Sequence, residues 1–374
     1  MRADVLVVGG GIAGSTLASL LSRSGLNVII VERKRRAGYP HHCSGILGFD
    51  AIRELLLFSE DWVLSEVNWS RFISPGGIEV EVDKPLAKVV NRSEMDRETW
   101  ELALSYGAMG FLSTPFKRLV SRKEALIKGG VVSFDLIVGA DGPLSSVAQA
   151  HGLPMMEVEL GLQRECELSV GDGYVVKVLG GSKFSWIQPW GDHAKVGAIG
   201  DVRDPLRSII LENCRSALRS FEGKLIPRKI RSRFRGSGFA LVGDAAGQVK
   251  PLSRGGVLLA VRAAKLLADE LIRGWDHPEK ALSIYERNWW RVNRSEIILG
   301  RALRSYLEGL SPKDLDSVFR ELRECEDALR RFETDHQTSP IRAIPKAKVL
   351  KLSLSRPRAS LSAAAELVKY LMRW

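Results

Sequence analysis

Residues 4–32 read DVLVVGGGIAGSTLASLLSRSGLNVIIVE. Asp4 to Val8 is a short, valine-rich apolar run, the composition of a parallel strand buried on both faces. Glycines follow at 9, 10, 11 and 14. Ile12 to Ser24 carries Ala, Leu and Ser in a helical pattern and meets Gly25, the residue type that most readily closes a helix. Asn27 to Val31 is a second buried strand, and Glu32 ends it. The stretch predicts one complete βαβ unit.

Gly9-x-Gly11-x-x-Gly14 falls after the strand and opens the helix, where a dinucleotide-binding turn needs it. The first glycine permits the tight turn, the second lets the backbone approach a pyrophosphate, and the third allows the helix to pack closely on the strand. The helix N-terminus, opened by Ile12 and Ala13, offers N–H groups to an anion. Glu32 stands where a carboxylate can accept hydrogen bonds from an adenosine ribose, with Arg33 beside it. These residues alone suit either FAD or NAD.

Working outward, the uncharged run from Val5 to Ser22 mimics a signal peptide or membrane span, but four glycines interrupt it and a strand–turn–helix accounts for it better. No other candidate span follows. Pro40 to Gly48 (PHHCSGILG) reads as a loop. A hairpin is expected around Gly76-Gly77, a helix from Ser93 to Ala108 with Ser93 as its cap, and a strand from Val131 to Ala140. Runs at 163–170, 174–179, 183–189 and 194–199 predict antiparallel sheet. Helices are expected at Pro205–Arg219 and Val257–Arg273, with a short strand at Phe239–Val242. The remainder reads as helix.

The chain has 374 residues, 45% hydrophobic and 26% charged, as an ordinary globular protein of two or three domains would. Its net charge is +11 and its pI about 9.6, which favours a polyanionic partner. Between Thr338 and Trp374 eight basic residues face Glu366 as the one acid, so this segment holds +7 of the total. It carries no aromatic-interleaved RNA motif, which argues against nucleic acid. Cys43, Cys166, Cys214 and Cys325 are widely spaced and form no CxxC pair. Neither a zinc site nor a disulfide framework is expected, no metal is expected at His41-His42-Cys43, and a reduced, cytosolic setting fits.

Leu241-Val242-Gly243-Asp244-Ala245-Ala246-Gly247 resembles the second fingerprint of the glutathione-reductase-like flavoproteins, where the Asp lies at the ribitol and pyrophosphate of FAD. Arg92 and the strand ending at Asp141-Gly142 resemble the third element of the aromatic-hydroxylase branch. The resemblance implies FAD and an α/β fold. Its parts are a Rossmann-like FAD-binding domain (1–60, 87–150 and 236–285), an antiparallel-sheet substrate domain (61–86 and 151–235) and a C-terminal helical, basic region (286–374). No second GxGxxG is present, so the electron donor, whether NAD(P)H, ferredoxin or another redox protein, docks transiently.

Beyond the FAD elements, about three-quarters of the chain resembles the geranylgeranyl reductase family, flavoenzymes that hydrogenate isoprenoid double bonds. Phe184-x-Trp186-x-x-Pro189, followed by Val196-Gly197, is similar to that family's prenyl-binding strand, with Phe for a Tyr and Gln188 for an aromatic. Flavin halogenases carry a related segment. His42-Cys43-Ser44-Gly45 matches a loop that the family places near the flavin ring. There Cys43 acts as an acid, positions the alkene, or is a small buried hydrophobe. Pro251-Leu252-Ser253-Arg254-Gly255-Gly256-Val257 resembles the family's flavin-side loop, with Arg254 in place of a Gly. Arg254 then meets the reduced flavin, a substrate phosphate, or solvent.

The resemblance implies an FAD-dependent reductase of a geranylgeranyl chain, with an archaeal-type membrane lipid or its precursor as substrate. The alternative is a monooxygenase or halogenase of an aromatic substrate. Val349 to Trp374 mixes apolar and basic residues, as a peripheral helix on the cytoplasmic face of an anionic membrane would; a solvated helical cap has the same composition.

Overall fold

The computed structural model describes residues 1–40 and 42–371. The chain opens with β1 (Arg2–Val8), α1 (Ile12–Arg23), β2 (Val28–Val31), β3 (Ile46–Leu47) and α2 (Phe49–Glu54). The hairpin of β4 (Val63–Ile73) and β5 (Glu79–Val90) precedes α3 (Arg92–Ser105), β6 (Met109–Phe111), β7 (Phe116–Ser121), β8 (Glu124–Ile127) and β9 (Gly130–Gly139). Next come α4 (Ser146–Ala150), β10 (Val158–Cys166), β11 (Gly173–Gly180), β12 (Lys183–Trp190), β13 (His193–Gly200), α5 (Leu206–Asn213) and β14 (Glu222–Pro227). Then follow β15 (Arg235–Gly236), β16 (Phe239–Leu241), α6 (Val257–Arg273) and α7 (Pro278–Glu308). The last described elements are α8 (Pro312–Arg323), α9 (Glu326–Arg330), α10 (Lys346–Leu354) and α11 (Pro357–Leu371).

The strands form two sheets. In the first, the order is β15-β16-β9-β1-β2-β6, with β7 and β8 joined at β9. The valine-rich β1 lies between two parallel neighbours, Val8 opposite Val31 of β2 and opposite Gly139 of β9. Both its faces are covered, and Val5, Leu6 and Val7 have no exposed surface. That burial is what an uninterrupted apolar strand requires. Helix α1 packs against α3 and α6.

The second sheet has the order β14-β10-β13-β12-β11-β4-β5-β3. Its strands pair antiparallel except β4 with β11, which run parallel because the early β4–β5 hairpin joins the edge of the later meander. Register fixes its two faces. On one, Gln163 of β10 lies beside Gly197 of β13, and Gly197 beside Trp186 of β12. On the other, Val196, Ala198 and Ile187 form an apolar layer with Leu206 and Ile210 of α5. A cluster of Leu47, Ala51, Trp62, Val90, Met95 and Leu258, with Ile12 and Val257 packed against it, joins the two sheets. The long α7 packs on α6 and α11, with Tyr285, Trp289 and Phe234 meeting edge to face.

Three expectations are corrected. Cys166 and Cys214 form a disulfide across 48 residues. Spacing could not reveal it, because a strand end and a helix end meet only after the sheet and α5 have packed. Helix α5 stops at Asn213 instead of reaching Arg219, and β14 follows where none was expected. The cap of α3 is Asn91, not Ser93: Asn91 Oδ1 accepts from the N–H groups of Ser93 and Glu94, while Ser93 Oγ donates to the Gly38 carbonyl. No described helix is long and apolar enough to cross a membrane.

Candidate active site

The turn from β1 into α1 is built for close approach. Gly9 has φ +109°, and a Cβ on Gly14 would lie 1.9 Å from the Gly9 carbonyl oxygen. Over Gly11 nothing lies within 4 Å of the Cβ position, so this side of the turn is open. Gly11 caps α1 without a side-chain hydrogen bond and no acid stands in the first turn, which leaves the N-terminal dipole for an incoming anion. Ile12 is half-buried and Ala13 buried beside it. Glu32 Oε2 accepts from Gly10 N (2.8 Å) and Oε1 from Lys34 N (2.9 Å). The carboxylate therefore also braces the turn. Arg33 points to solvent.

The second approach comes from β16. Gly243 (φ +64°) and Asp244 open a short 3-10 turn that ends at Gly247, and α6 starts ten residues later behind Gly256 with no side-chain cap. Asp244 lies at that helix start and pairs with Lys224 of β14 at 2.7 Å. Buried Gln248 fixes the turn. It accepts from Gly243 N (2.7 Å) and donates to Tyr285 OH (3.1 Å), which donates to the Leu241 carbonyl (3.0 Å).

At the end of β9, Asp141 Oδ2 caps α4 through Ser146 N (2.7 Å) and Val147 N (3.3 Å), while buried Oδ1 has no protein partner among the described residues. Burial pushes its carboxyl pKa up. Gly142 (φ +87°) turns the chain away.

Between the two turns lies the 42–45 loop; His41 falls outside the described residues. Arg92, first residue of α3, donates from Nη1 to Cys43 Sγ (3.3 Å) and from Nη2 to Asp96 (2.8 Å). Its buried Nε has no protein partner among the described residues. His42 Nδ1 donates to the Pro40 carbonyl (2.7 Å), so Nε2 is left as an acceptor. Burial, with Lys224 and Lys34 nearby, lowers the His42 pKa to about 4. Two buried glutamines hold the loop from the sheet: Gln163 Nε2 donates to the Cys43 carbonyl (3.0 Å) and Gln188 Nε2 to the Ser44 carbonyl (2.6 Å). Behind Gln163, Glu222 joins it to Lys195, which has no exposed surface and lies 3.4 Å from the Trp190 ring centre. Burial lowers the Lys195 pKa, and Glu222 and Glu165 oppose the shift.

Gln188, Trp186 and Phe184 are alternate residues of β12 and share one face. At about 3.3 Å per residue they lead some 13 Å away from the Cys43 loop. Trp186 lies flat on Gly197, where a Cβ would come within 2.1 Å of the ring. Its buried indole N–H has no protein partner among the described residues. Phe184 meets it at 6.0 Å between ring centres, and Pro189 is buried on the opposite face.

Arg254 reaches neither solvent nor an open site. It is buried with φ +62° and pairs with Glu159 at 2.9 Å, beside Arg304 and Arg228. It also donates to the Ser182 carbonyl at 2.9 Å. Burial and the neighbouring Arg304 lower its pKa to about 10, so it stays charged at neutral pH. Its β-branch-free side chain tolerates the left-handed backbone that a Gly would otherwise supply, and the ion pair holds it there.

Cys43, His42, Arg92, Lys224 and Asp244 thus form one cluster, while Phe184 and Asp141 lie apart from it. Gln163, Lys195, Lys224, Gln188 and Gln248 were not expected in it. The readable signal for Gln163 was the alternation Glu159, Gly161, Gln163, Glu165, a polar period-two row in a sheet strand. Two uncapped helix starts, an open turn and unpartnered polar atoms at Arg92 and Asp141 fit a dinucleotide with a pyrophosphate.

Residues 4–139 match the family model of FAD dependent oxidoreductases. The chain is an FAD-dependent oxidoreductase. Over its length this oxidoreductase is similar to the digeranylgeranylglycerophospholipid reductase of Methanosarcina acetivorans, 26% identical over 88% of this chain and 91% of the relative. Its fold matches that of a geranylgeranyl bacteriochlorophyll reductase-like protein from Thermoplasma acidophilum, with a TM-score of 0.80, 20% identity and 99% of both chains covered. It also matches a probable FAD-dependent monooxygenase from Pseudomonas aeruginosa, with a TM-score of 0.67, 21% identity, 86% of this chain and all of the other. The likeness to the geranylgeranyl reductases drawn from the Phe184 and Cys43 segments therefore extends across the chain.

Proposed function

We propose that this oxidoreductase hydrogenates double bonds of a geranylgeranyl chain carried by an archaeal-type membrane lipid or its precursor. The observation that carries this reading is the row Gln188, Trp186 and Phe184, which leads from the Cys43 loop along one sheet face and ends in aromatic surface. The named activity of the Methanosarcina relative supports it.

FAD supplies hydride chemistry when bound. In this reading the pyrophosphate lies against Gly9, Gly11, Ile12, Ala13 and Gly14, the adenosine ribose at Glu32 with Arg33 outside it, and the ribityl region at Gly243 and Asp244. Arg92, Asp141 and Gly142 would complete that side, and the loop of Gly255, Gly256 and Val257 would hold the ring, with the N–H groups of Gly256 and Val257 as donors. Asp244, paired with Lys224 at 2.7 Å, would hold the cofactor there as a hydrogen-bond acceptor. Cys43 holds the proton for the second alkene carbon at Sγ, with Arg92 fixing its orientation and His42 uncharged beside it. Trp186 and Phe184 align the chain and exclude water; Pro189 sets the strand behind them. The division into a discontinuous FAD-binding part, a sheet that binds substrate and a basic helical region follows from these assignments.

We extend the reading to the lipid surface. Helices α10 and α11 leave Leu350, Leu354, Leu361 and Val368 exposed among Lys346, Arg358 and Lys369, while Glu366 is taken up by Arg301. Apolar surface rimmed by cations suits the cytoplasmic face of an anionic membrane. Electrons arrive from a donor that docks transiently, NAD(P)H or a redox protein.

Mass spectrometry of geranylgeranylated lipid incubated anaerobically with dithionite-reduced protein should show additions of 2 Da per double bond. Unchanged lipid in the presence of folded, FAD-loaded protein would reject the reading. Substrate-dependent oxygen consumption would instead support the monooxygenase or halogenase alternative.

A further inference from the structure

Residues Thr334 to Thr338 run as a strap after α9, and every one of their five side chains is engaged at a distant element. Thr334 Oγ1 donates to the Leu86 carbonyl of β5 at 2.9 Å. Asp335 Oδ2 accepts from Ala51 N in the first turn of α2 at 3.0 Å, and Oδ1 accepts from Lys250 Nζ at 3.1 Å. His336 Nε2 lies 2.7 Å from Asp50 Oδ2. Gln337 Oε1 accepts from Ser253 N at 3.0 Å and from Leu252 N at 3.3 Å. Thr338 Oγ1 donates to Glu296 of α7.

A loop that merely crosses a surface meets its hydrogen bonds largely with water. This one buries a carboxylate (5% exposed) against a lysine (7% exposed), and such a pair is costly to leave half-made. Two of its side chains converge on one target, the loop after Gln248. That loop closes on itself, since Lys250 N donates to the Gly255 carbonyl (2.9 Å) and Arg254 N to the Lys250 carbonyl (3.1 Å). The Lys250 side chain lies under Gly255, with Cε 2.9 Å from the Cβ position. From the far side, Arg254 ties the same loop to Glu159 and Ser182. The strap and Glu159 therefore hold the loop from two directions.

We propose that Asp335 and Gln337 are positioning residues for the flavin, setting the placement of Pro251 to Gly256 so that its N–H groups meet the ring. The proposal rests on the reading of that loop given above. Gln337 spends its carbonyl on the N–H groups of Leu252 and Ser253, and Ser253 Oγ accepts from Gly255 N at 3.3 Å, which leaves those of Gly256 and Val257 to face the cofactor. Asp335 anchors the lysine that shapes the Gly255 end.

The test uses full-length, FAD-loaded protein. Gln337→Leu and Asp335→Asn should weaken FAD binding roughly tenfold, shift the visible flavin spectrum and midpoint potential, and lower kcat with little change in KM for prenyl substrate. Gln337→Glu keeps the acceptor and should restore the spectrum. Thr338→Val and His336→Gln break the strap's other contacts and should lower Tm without moving the spectrum. A wild-type spectrum, potential and FAD affinity in both Gln337→Leu and Asp335→Asn would overturn the proposal and leave the strap a simple staple. If Gln337→Leu fails to fold, Gln337→Met and Asp335→Asn decide by the same readouts. Failure of the loop's assignment shows differently: Gly256→Ala would then leave the flavin spectrum unmoved.

Discussion

Burial, helped by Lys224 and Lys34 and opposed by the bond to the Pro40 carbonyl, holds His42 down so that the folded chain protonates it only near pH 4, against an ordinary value of 6.5. Between those values the unfolded chain binds the extra proton and the folded chain does not. Stability is therefore lost as pH falls from about 6.5 to about 4. His42→Gln removes this titration, and its urea midpoint should fall less steeply across that window than the wild type's. Parallel curves would mean that the folded chain protonates His42 near its ordinary pKa. At this scale the sequence was most legible where chemistry is local. Gly9, Gly11, Gly14 and Glu32 lie within one unit, and their part in the turn is one that near neighbours make evident. Gln163 and Gln188 meet the Cys43 loop across 120 and 144 residues, so their roles existed only once the sheets had packed. Arg254 was ambiguous for the same reason, because its partner Glu159 is 95 residues away.

Among the elements, β12 shows how a neighbouring strand can shape a site without touching the substrate. Gly197 of β13 is flat ground for the Trp186 ring. Gly197→Val should push the ring off the sheet, at about 1–3 kcal/mol of overpacking, and lower kcat/KM for prenyl substrate tenfold or more while FAD stays bound. Wild-type turnover in a folded Gly197→Val protein would show that the ring's position is immaterial. The paired motif Trp186 and Val196-Gly197 was visible in the sequence, but its cause was not, because strand register is a property of the sheet. Helices α1 and α6 were predicted almost to the residue, since glycines mark both their starts. Helix α5 was overrun because residues 206–219 hold no Gly or Pro to mark its end; Cys214, bonded to Cys166, follows its last residue instead.

For the whole molecule, the two-sheet plan was legible from two glycine turns and a run of short strands. The long basic end was legible only as composition; its exposed Leu354 (72%) on α10 and Leu361 (70%) on α11 emerge from the way α11 lies on α7 and α10 on α11. Co-sedimentation with vesicles containing anionic lipid should fall with rising salt and drop at least fivefold in Leu354→Glu/Leu361→Glu. Equal binding to neutral vesicles, or no loss in the double variant, would remove the membrane role. The strap between α9 and α10 has a further consequence, in the order in which the protein is made. Lys250 leaves the ribosome 85 residues ahead of Asp335, its partner. At about 5–20 residues per second this is on the order of 4–17 s of synthesis. During that interval the βαβ unit can already fold, but the loop from Lys250 to Gly255 has no brace from the strap. On the proposal that the strap positions this loop for the flavin, cofactor capture would be a late step of biosynthesis, and a nascent chain released before Thr334 should carry both glycine turns and still hold flavin loosely.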